Sequence, residues 1–117
     1  MKDIEIVKIA VKALDSKKAE NIKILKVDDL TIIANYFIIV GGTSTTQVKS
    51  LADEVEFKLG EDGVKPARIE GYQGSTWIVL DYTDVVVHVF HRETRDFYDL
   101  ERLWQDGEEI SPEEFLK

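Results

Sequence analysis

The segment STWIVLDYTDVVVHVF, at residues 75–90, constrains the fold more than any other part of the chain. Two runs of mostly aliphatic and β-branched residues flank Tyr82 and Thr83, a pattern that is typical of a β-hairpin. Successive side chains of a strand point to opposite sides of a sheet, so this hairpin must present two different faces. The chain is therefore predicted to build its core around a sheet that contains this strand pair.

A two-residue loop at Tyr82 and Thr83 would place Asp81 opposite Asp84, and Trp77 opposite His88. One face of the pair is then purely aliphatic and must be core. The other face is too polar for a core and too apolar for plain solvent, which indicates a protein-interaction surface. Coverage by helices, which would make this face a second core, is the alternative. The mixed face consists of Trp77, Val79, Asp81, Asp84, Val86, His88 and Phe90.

Apolar spacing along the rest of the chain predicts the other elements. The predicted helices are residues 3–18, a segment that begins at Thr43 or Ser44, and residues 92–104, and the remaining predicted strands are 21–27, 35–42 and the edge segment KPARIEG. This order indicates one α/β domain at residues 1–104, with a mixed five-stranded sheet. The acidic segment 105–117 is predicted to be a mobile tail.

The last predicted helix carries aromatic residues on two sides. Phe97, Leu100 and Trp104 recur at helical spacing and are expected to dock inward. Tyr98 lies off that stripe, beside charged residues, and is a candidate contact residue for a partner.

Charge and composition restrict the class of partner. The 117 residues include 15 Lys and Arg against 23 Asp and Glu, which gives a net charge of −8. This balance is unsuited to nucleic-acid phosphates and suits a basic partner, of which ribosomal proteins and histones are the commonest. The absence of cysteine excludes disulfides and thiolate metal sites. No apolar run is long enough for a membrane span, and the N-terminal segment mixes charges of both signs, so the protein is expected to be cytoplasmic.

Three arrangements resemble catalytic or metal sites. VGGTST, at residues 40–45, follows a strand and opens a helix, but it lacks the P-loop lysine and the dinucleotide glycine pattern, so a turn and a helix cap are the interpretation. Glu54 and Glu56 have the spacing of a metal-binding carboxylate pair, yet they diverge on a helix. His88 and His91 point to opposite faces of a strand and cannot chelate one ion together. The residues therefore favour structural roles for all three arrangements over a metal site or catalysis.

Several segments together resemble the ribosomal silencing factor family, also called Iojap-like proteins. They are ANYFIIVGGTSTTQVKSLADEVE, KPARIEG, WIVLDYTDVVVHVF and RETRDFYDLERLW. The resemblance runs from about residue 3 to residue 104 and is most specific at 77–104. Two positions depart from the family pattern. Asn35 stands where the family usually has Asp, and Thr83 stands where a glycine usually makes the hairpin turn, which leaves the turn geometry open.

The resemblance implies a fold akin to the nucleotidyltransferase sheet without its active site, with no metal, no cofactor and no enzymatic activity. It also implies binding to the large ribosomal subunit through the fourteenth protein of that subunit, at the subunit interface, where a bound factor sterically blocks small-subunit joining and represses translation when nutrients are scarce. His88 either contacts this partner or only supports Trp77. The partner-binding residues that the resemblance implies are Trp77, Asp81, Asp84, His88, Arg92, Glu93, Tyr98 and Leu100.

Two functions of other classes remain as alternatives. A nucleotide-transferring enzyme would use the GGTST turn together with Asp81 and Asp84. A self-associating interaction module would use the mixed face of the hairpin to form a homodimer, which would hide the surface that faces the ribosome.

Overall fold

The protein forms one mixed sheet with helices on both sides. The computed structural model describes residues 1–116. The helices are α1 (Asp3–Ser16), α2 (Thr45–Glu61), α3 (Arg92–Tyr98), α4 (Leu100–Leu103) and α5 (Glu113–Leu116). The strands are β1 (Glu20–Lys26), β2 (Tyr36–Gly42), β3 (Arg68–Glu70), β4 (Trp77–Asp81), β5 (Val85–His91) and β6 (Glu108–Ile110). Their order in the sheet is β3-β4-β5-β2-β1-β6, in which β2 and β5 are parallel and the other four pairs are antiparallel.

The C-terminal segment is part of this fold, so the predictions of five strands and of a mobile tail from residue 105 are wrong. β6 adds a sixth strand by pairing with β1, where Lys23 Nζ lies 3.6 Å from a carboxylate oxygen of Glu109. Ile110 and the buried Phe115 pack against the main core, and α5 contacts α1. Segment 105–117 has only a few apolar residues among its acidic ones, so the sequence has no periodic pattern that would predict this strand and helix.

The main core lies between the sheet and the first two helices. α1 and α2 pack against each other and against β2, β4 and β5. The aliphatic face of the hairpin lies in this core, as predicted, and consists of Ile78, Leu80, Val85, Val87 and Val89. The α/β class with a mixed sheet is therefore confirmed.

The starts of the two long helices differ in their capping. The Ser44 hydroxyl accepts a hydrogen bond from the Gln47 backbone N–H at 3.1 Å, which is the predicted N-cap of α2. At α1 the N-cap is Lys2, with no side-chain hydrogen bond, and Asp3, the first helical residue, does not cap the helix. Asp3 instead accepts a hydrogen bond from the Asn35 side-chain amide at 2.6 Å, which ties α1 to the start of β2.

The last predicted helix is broken at Asp99, which has a left-handed φ of 47° and separates α3 from α4. The break divides the predicted apolar stripe. Leu100 and Trp104 pack against the sheet, whereas Phe97 is 81% exposed, so its predicted inward docking is wrong. Within residues 1–116, none of the helices combines the length and the apolar character that crossing a membrane requires.

Candidate protein-interaction face

The sheet face opposite α1 and α2 carries a second, smaller core. Leu100 and Trp104 cover one part of it, which agrees in part with the alternative that helices cover this face. Trp77 and Val79 are half-buried at its border. The remaining part, around Val79 and the exposed Ile33, is open. The buried members of this second core are Leu25, Val27, Ala34, Phe37, Ile39, Val86 and Phe90.

The β4–β5 hairpin is shifted by two residues from the predicted register. Val79, and not Trp77, lies opposite His88, and Asp84 lies outside the ladder, so that Asp81 has no carboxylate opposite it. The predicted pairs Trp77–His88 and Asp81–Asp84 are therefore wrong. Because side chains alternate with a period of two, a shift of two residues leaves every side chain of the strands on its predicted face.

Trp77 is the centre of an aromatic cluster on this face. Its indole stacks on Phe90 with ring centroids 4.8 Å apart, and the Tyr98 ring lies at 5.0 Å. The Trp77 Nε1–H donates a hydrogen bond to His88 Nδ1 at 3.1 Å. The Phe37 ring meets His88 edge-on at 5.2 Å. The cluster joins α3 to the sheet and leaves Tyr98, at its border, 54% exposed.

His88 is a buried, neutral imidazole. Its side chain is 8% exposed, and this burial lowers its pKa to about 4. Because an indole N–H can only donate, Nδ1 must be the unprotonated nitrogen, and the proton of the neutral ring is on Nε2. Among residues 1–116, Nε2 has no hydrogen-bond partner. His88 thus supports Trp77, whereas a contact with a partner protein stays a prediction.

Acidification is expected to destabilise the protein through His88. The pKa of His88 is about 4 in the folded state and near 6.5 in the unfolded state, so the unfolded chain binds more protons between these values. Stability is therefore lost as the pH falls from 6.5 towards 4, by about 2 kcal/mol at pH 4.5. Urea unfolding of the wild type and of His88→Phe, each at pH 7 and pH 4.5, isolates the contribution of His88. The carboxylates titrate in both proteins, so their effect on stability cancels in the comparison. An identical pH dependence in the two proteins would contradict it.

The two carboxylates of the hairpin are engaged separately. Asp81 accepts a hydrogen bond from the Thr83 backbone N–H at 2.8 Å and lies 3.3 Å from the Arg68 guanidinium. The Asp84 carbonyl accepts from the Asn35 backbone N–H at 2.8 Å, which connects the loop to β2, and its side chain is exposed. Within residues 1–116, no three His, Cys, Asp or Glu side chains form a group that could hold a metal ion.

Comparison with known proteins decides the family. The family model for "Ribosomal silencing factor during starvation" matches residues 1–117. The chain belongs to the ribosomal silencing factor family. A ribosomal silencing factor of Halalkalibacterium halodurans is 40% identical over 113 residues, which cover 97% of each chain. A crystal structure of a Chromobacterium violaceum protein has a TM-score of 0.87 and 40% identity, over 95% of this chain and 92% of that one. The mouse protein named mitochondrial assembly of ribosomal large subunit protein 1 is 28% identical, over 91% of this chain and 52% of its own.

Ribosomal silencing factors are non-enzymatic regulators of translation that associate with the ribosome, in agreement with the prediction from the sequence. The GGTST turn of this silencing factor is used internally. The Gln47 side-chain oxygen accepts hydrogen bonds from the backbone N–H and the hydroxyl of Thr43, at 2.6 and 2.9 Å. The Ser44 hydroxyl meanwhile caps α2. These contacts account for the hydroxyls of Thr43 and Ser44 by local structure alone.

The hairpin loop holds Thr83 in a backbone conformation that favours glycine. Tyr82 and Val85 close the loop through a 2.9 Å backbone hydrogen bond, and Thr83 has a φ of 74°. A β-branched residue rarely adopts this conformation, whereas glycine adopts it without strain. The hydrogen bond from the Thr83 N–H to Asp81 helps to hold this loop.

Arg92 and Glu93 lie away from the Trp77 cluster. Arg92 makes a two-pronged contact with the Glu20 carboxylate, at 2.6 and 3.2 Å. β5 and β2 separate Glu20, on β1, from Trp77, on β4. The hydrogen bond from Arg92 lowers the pKa of Glu20. Glu93 is exposed, and its backbone N–H donates to His91 Nδ1. The structure therefore brings together Trp77, His88, Tyr98 and Leu100, but not Arg92 and Glu93.

Two groups of residues at this face were missed by sequence reasoning. The first is an ion pair, in which Arg95 Nε lies 3.0 Å from a carboxylate oxygen of Glu101 and bridges the break at Asp99. In a continuous helix, side chains pair over three or four positions, so a pairing over six positions is not predicted. Ile32 and Ile33 are exposed in the loop between β1 and β2. An adjacent pair of apolar residues outside both predicted strands was the sequence signal for this second group.

Proposed function

We propose that this silencing factor acts in the cytoplasm by binding the large ribosomal subunit through its fourteenth protein, and that it sterically prevents the small subunit from joining. The observation that carries the proposal is the aromatic face, defined as Trp77, Val79, His88, Tyr98 and Leu100. It combines an exposed aromatic residue with half-buried neighbours on a rigid sheet. Such surfaces provide the anchor residues of protein interfaces. Membership in the silencing factor family supports the ribosome as the partner, and the name of the mouse relative supports the large subunit.

Charge supports a basic protein as the direct contact. The chain has a net charge of −8, and the carboxylates of Glu70 and Asp81 line the open side of the aromatic face. The exposed Asp84 follows Asp81 in the hairpin loop. An apolar centre with an acidic rim is complementary to a surface whose apolar contact residues are flanked by Lys and Arg. We propose Trp77 and Tyr98 as the central contacts, His88 and Leu100 as their support, and Asp81 and Asp84 as rim contacts. Arg92 and Glu93 are proposed as secondary contacts.

Sedimentation of ribosomal subunits tests the proposal. Purified large and small subunits are mixed with increasing amounts of the protein and separated on a density gradient. We expect the protein to co-sediment with large subunits and the peak of joined ribosomes to fall. An unchanged profile at a molar excess of protein would rule the proposal out.

Calorimetric titration with a nucleoside triphosphate and magnesium tests the rival function of a nucleotide-transferring enzyme. Heat of binding that is lost in Asp81→Asn would support that rival.

Charge reversal at the rim is expected to slow association. Asp84→Lys should lower the association rate with large subunits about tenfold at low salt and make that rate less dependent on salt, because the rim field steers a basic partner. Asp62→Lys changes the net charge equally, but Asp62 lies at the end of α2, on the other side of the sheet. Stopped-flow measurements over a salt series compare the two variants. Equal rates for both variants would show that net charge, and not the rim, governs association.

We infer that the aromatic face also serves for self-association, since the exposed Ile33 and Tyr98 would be shielded in a homodimer. Light scattering at several protein concentrations, with Trp77→Glu for comparison, measures this. A molecular mass that stays at one chain for the wild type would contradict a homodimer.

A further inference from the structure

The sheet has an open edge at β3. Among residues 1–116, this strand pairs only with β4, and its three residues, Arg68–Glu70, are all exposed. The side of an edge strand that faces away from the sheet carries backbone N–H and C=O groups without a strand partner, so it can accept a strand from another chain. Charged side chains protect such an edge only if the approaching strand does not bring charges that match them.

The side chains of β3 are incompletely paired within the chain. Arg68 lies opposite Asp81 in the ladder, and its guanidinium is 3.3 Å from that carboxylate. Glu70 lies opposite Val79, and none of the ion pairs within residues 1–116 includes it. Ile69 points to the other side of the sheet and is 37% exposed. This edge therefore carries one carboxylate without a cation and one aliphatic side chain that is partly uncovered.

The sequence Arg-Ile-Glu is complementary to a second copy of itself when two β3 strands run antiparallel. If Ile69 lies opposite Ile69 of the second copy, Arg68 of each copy lies opposite Glu70 of the other. This register gives two opposite-charge pairs on one side of the sheet and an aliphatic pair on the other, and both kinds of cross-strand pair are stabilising. A second copy thus supplies the cation that Glu70 lacks and covers Ile69.

The other edge of the sheet does not have this property. It is formed by β6, whose residues are Glu108, Glu109 and Ile110. In the same antiparallel arrangement, Glu109 would lie opposite Glu109 of the second copy, and like charges directly across a ladder are destabilising. The sequence of β6 therefore protects its edge against self-pairing, whereas the sequence of β3 favours it.

We propose that β3 is a self-association edge, at which two copies of this chain join their sheets into one continuous sheet about a twofold axis. Cross-strand neighbours share a face, so the aromatic faces of the two copies lie on the same side of the joined sheet. Arg68 and Glu70 line the open side of the aromatic face, which places the new ion pairs between the two aromatic faces. This dimer uses an edge and not the aromatic face itself, and it does not depend on ribosome binding.

Exchange of charges between the two positions tests the pairing. Glu70→Arg puts arginine opposite arginine, and Arg68→Glu puts carboxylate opposite carboxylate, so each variant alone should dimerise about tenfold more weakly than the wild type. An equimolar mixture of the two variants restores both opposite-charge pairs and should recover a mixed dimer. Sedimentation equilibrium at protein concentrations up to about 1 mM measures even a weak dimer of this kind.

Three results of this experiment would overturn the proposal. They are a wild type that remains a single chain at every concentration, single variants that dimerise as well as the wild type, and a mixture that dimerises no better than its components. Tyr98→Ala, at the exposed border of the aromatic face, provides the control and should dimerise as the wild type does. Dimerisation that is lost in Tyr98→Ala and kept in Glu70→Arg would assign self-association to the aromatic face instead.

A single introduced cysteine gives a second, independent measurement. The sequence contains no cysteine, so Ile69→Cys provides one thiol in each chain. The proposed register brings the two thiols directly across the ladder, close enough for a disulfide. Under mild oxidation, Ile69→Cys should form linked dimers about tenfold faster than Phe57→Cys, whose thiol would be exposed on α2. Equal rates for the two variants would contradict the pairing of β3 with itself.

Discussion

Replacing Tyr98 with alanine is expected to weaken binding to the large ribosomal subunit about 30-fold. The Tyr98 ring is held 5.0 Å from Trp77 and is 54% exposed, so it presents a pre-ordered aromatic surface at the border of the cluster. Tyrosines in such positions commonly contribute about 2 kcal/mol or more to a protein interface, which corresponds to this factor. The exposed position should make the effect on folding stability much smaller than the effect on binding.

Phe57 provides the matched control for this substitution. It is also an exposed aromatic residue, 60% accessible, but it lies on α2, on the other side of the sheet. Phe57→Ala should leave subunit binding within about twofold of the wild type. Co-sedimentation with large subunits at graded protein concentrations gives both affinities, and urea unfolding confirms that both variants fold. An equal loss of affinity in the two variants would remove the aromatic face from its proposed role.

The faces of the hairpin could be predicted because they depend only on alternation, which is local to each strand. The register could not be predicted, because it depends on a loop in which Thr83 adopts a left-handed φ of 74° that threonine seldom takes. A shift of two residues preserved the face of every strand residue and changed only the partners. Trp77 lies opposite Phe90 in the ladder. Its hydrogen bond to His88 is therefore a diagonal contact, to the residue two positions before its direct cross-strand partner.

The last helix shows the limit of periodicity in a different way. Spacing correctly indicated that Leu100 and Trp104 pack inward, and it placed Tyr98 outside their stripe. Phe97 was assigned to the core because the rule assumes a continuous helix, and the left-handed Asp99 ends that continuity. The helical spacing rules do not predict such a break, which the bridge from Arg95 to Glu101 spans.

Gly71→Ala is expected to lower the free energy of unfolding by about 3 kcal/mol or more. Gly71 lies between β3 and β4 with a φ of 78°, a conformation that costs other residues about 1–2 kcal/mol. A Cβ built at this position would lie 2.0 Å from the Trp77 carbonyl oxygen, so the backbone at the start of β4 must move. Displacement of β4 there would also disturb the Trp77–His88 hydrogen bond, which couples this loop to the aromatic face.

The same chemical change at Gly60 should have the opposite sign. Gly60 lies in α2, where an added methyl group would have no atom within 4 Å, and alanine is favoured over glycine in helices by up to about 1 kcal/mol. Urea unfolding monitored by tryptophan fluorescence compares Gly71→Ala and Gly60→Ala with the wild type. A Gly71→Ala protein as stable as the wild type would contradict the prediction, because it would show that the close approach of Gly71 to Trp77 does not fix the start of β4. A stable Gly71→Ala protein with weakened subunit binding would instead assign Gly71 to the positioning of the aromatic face.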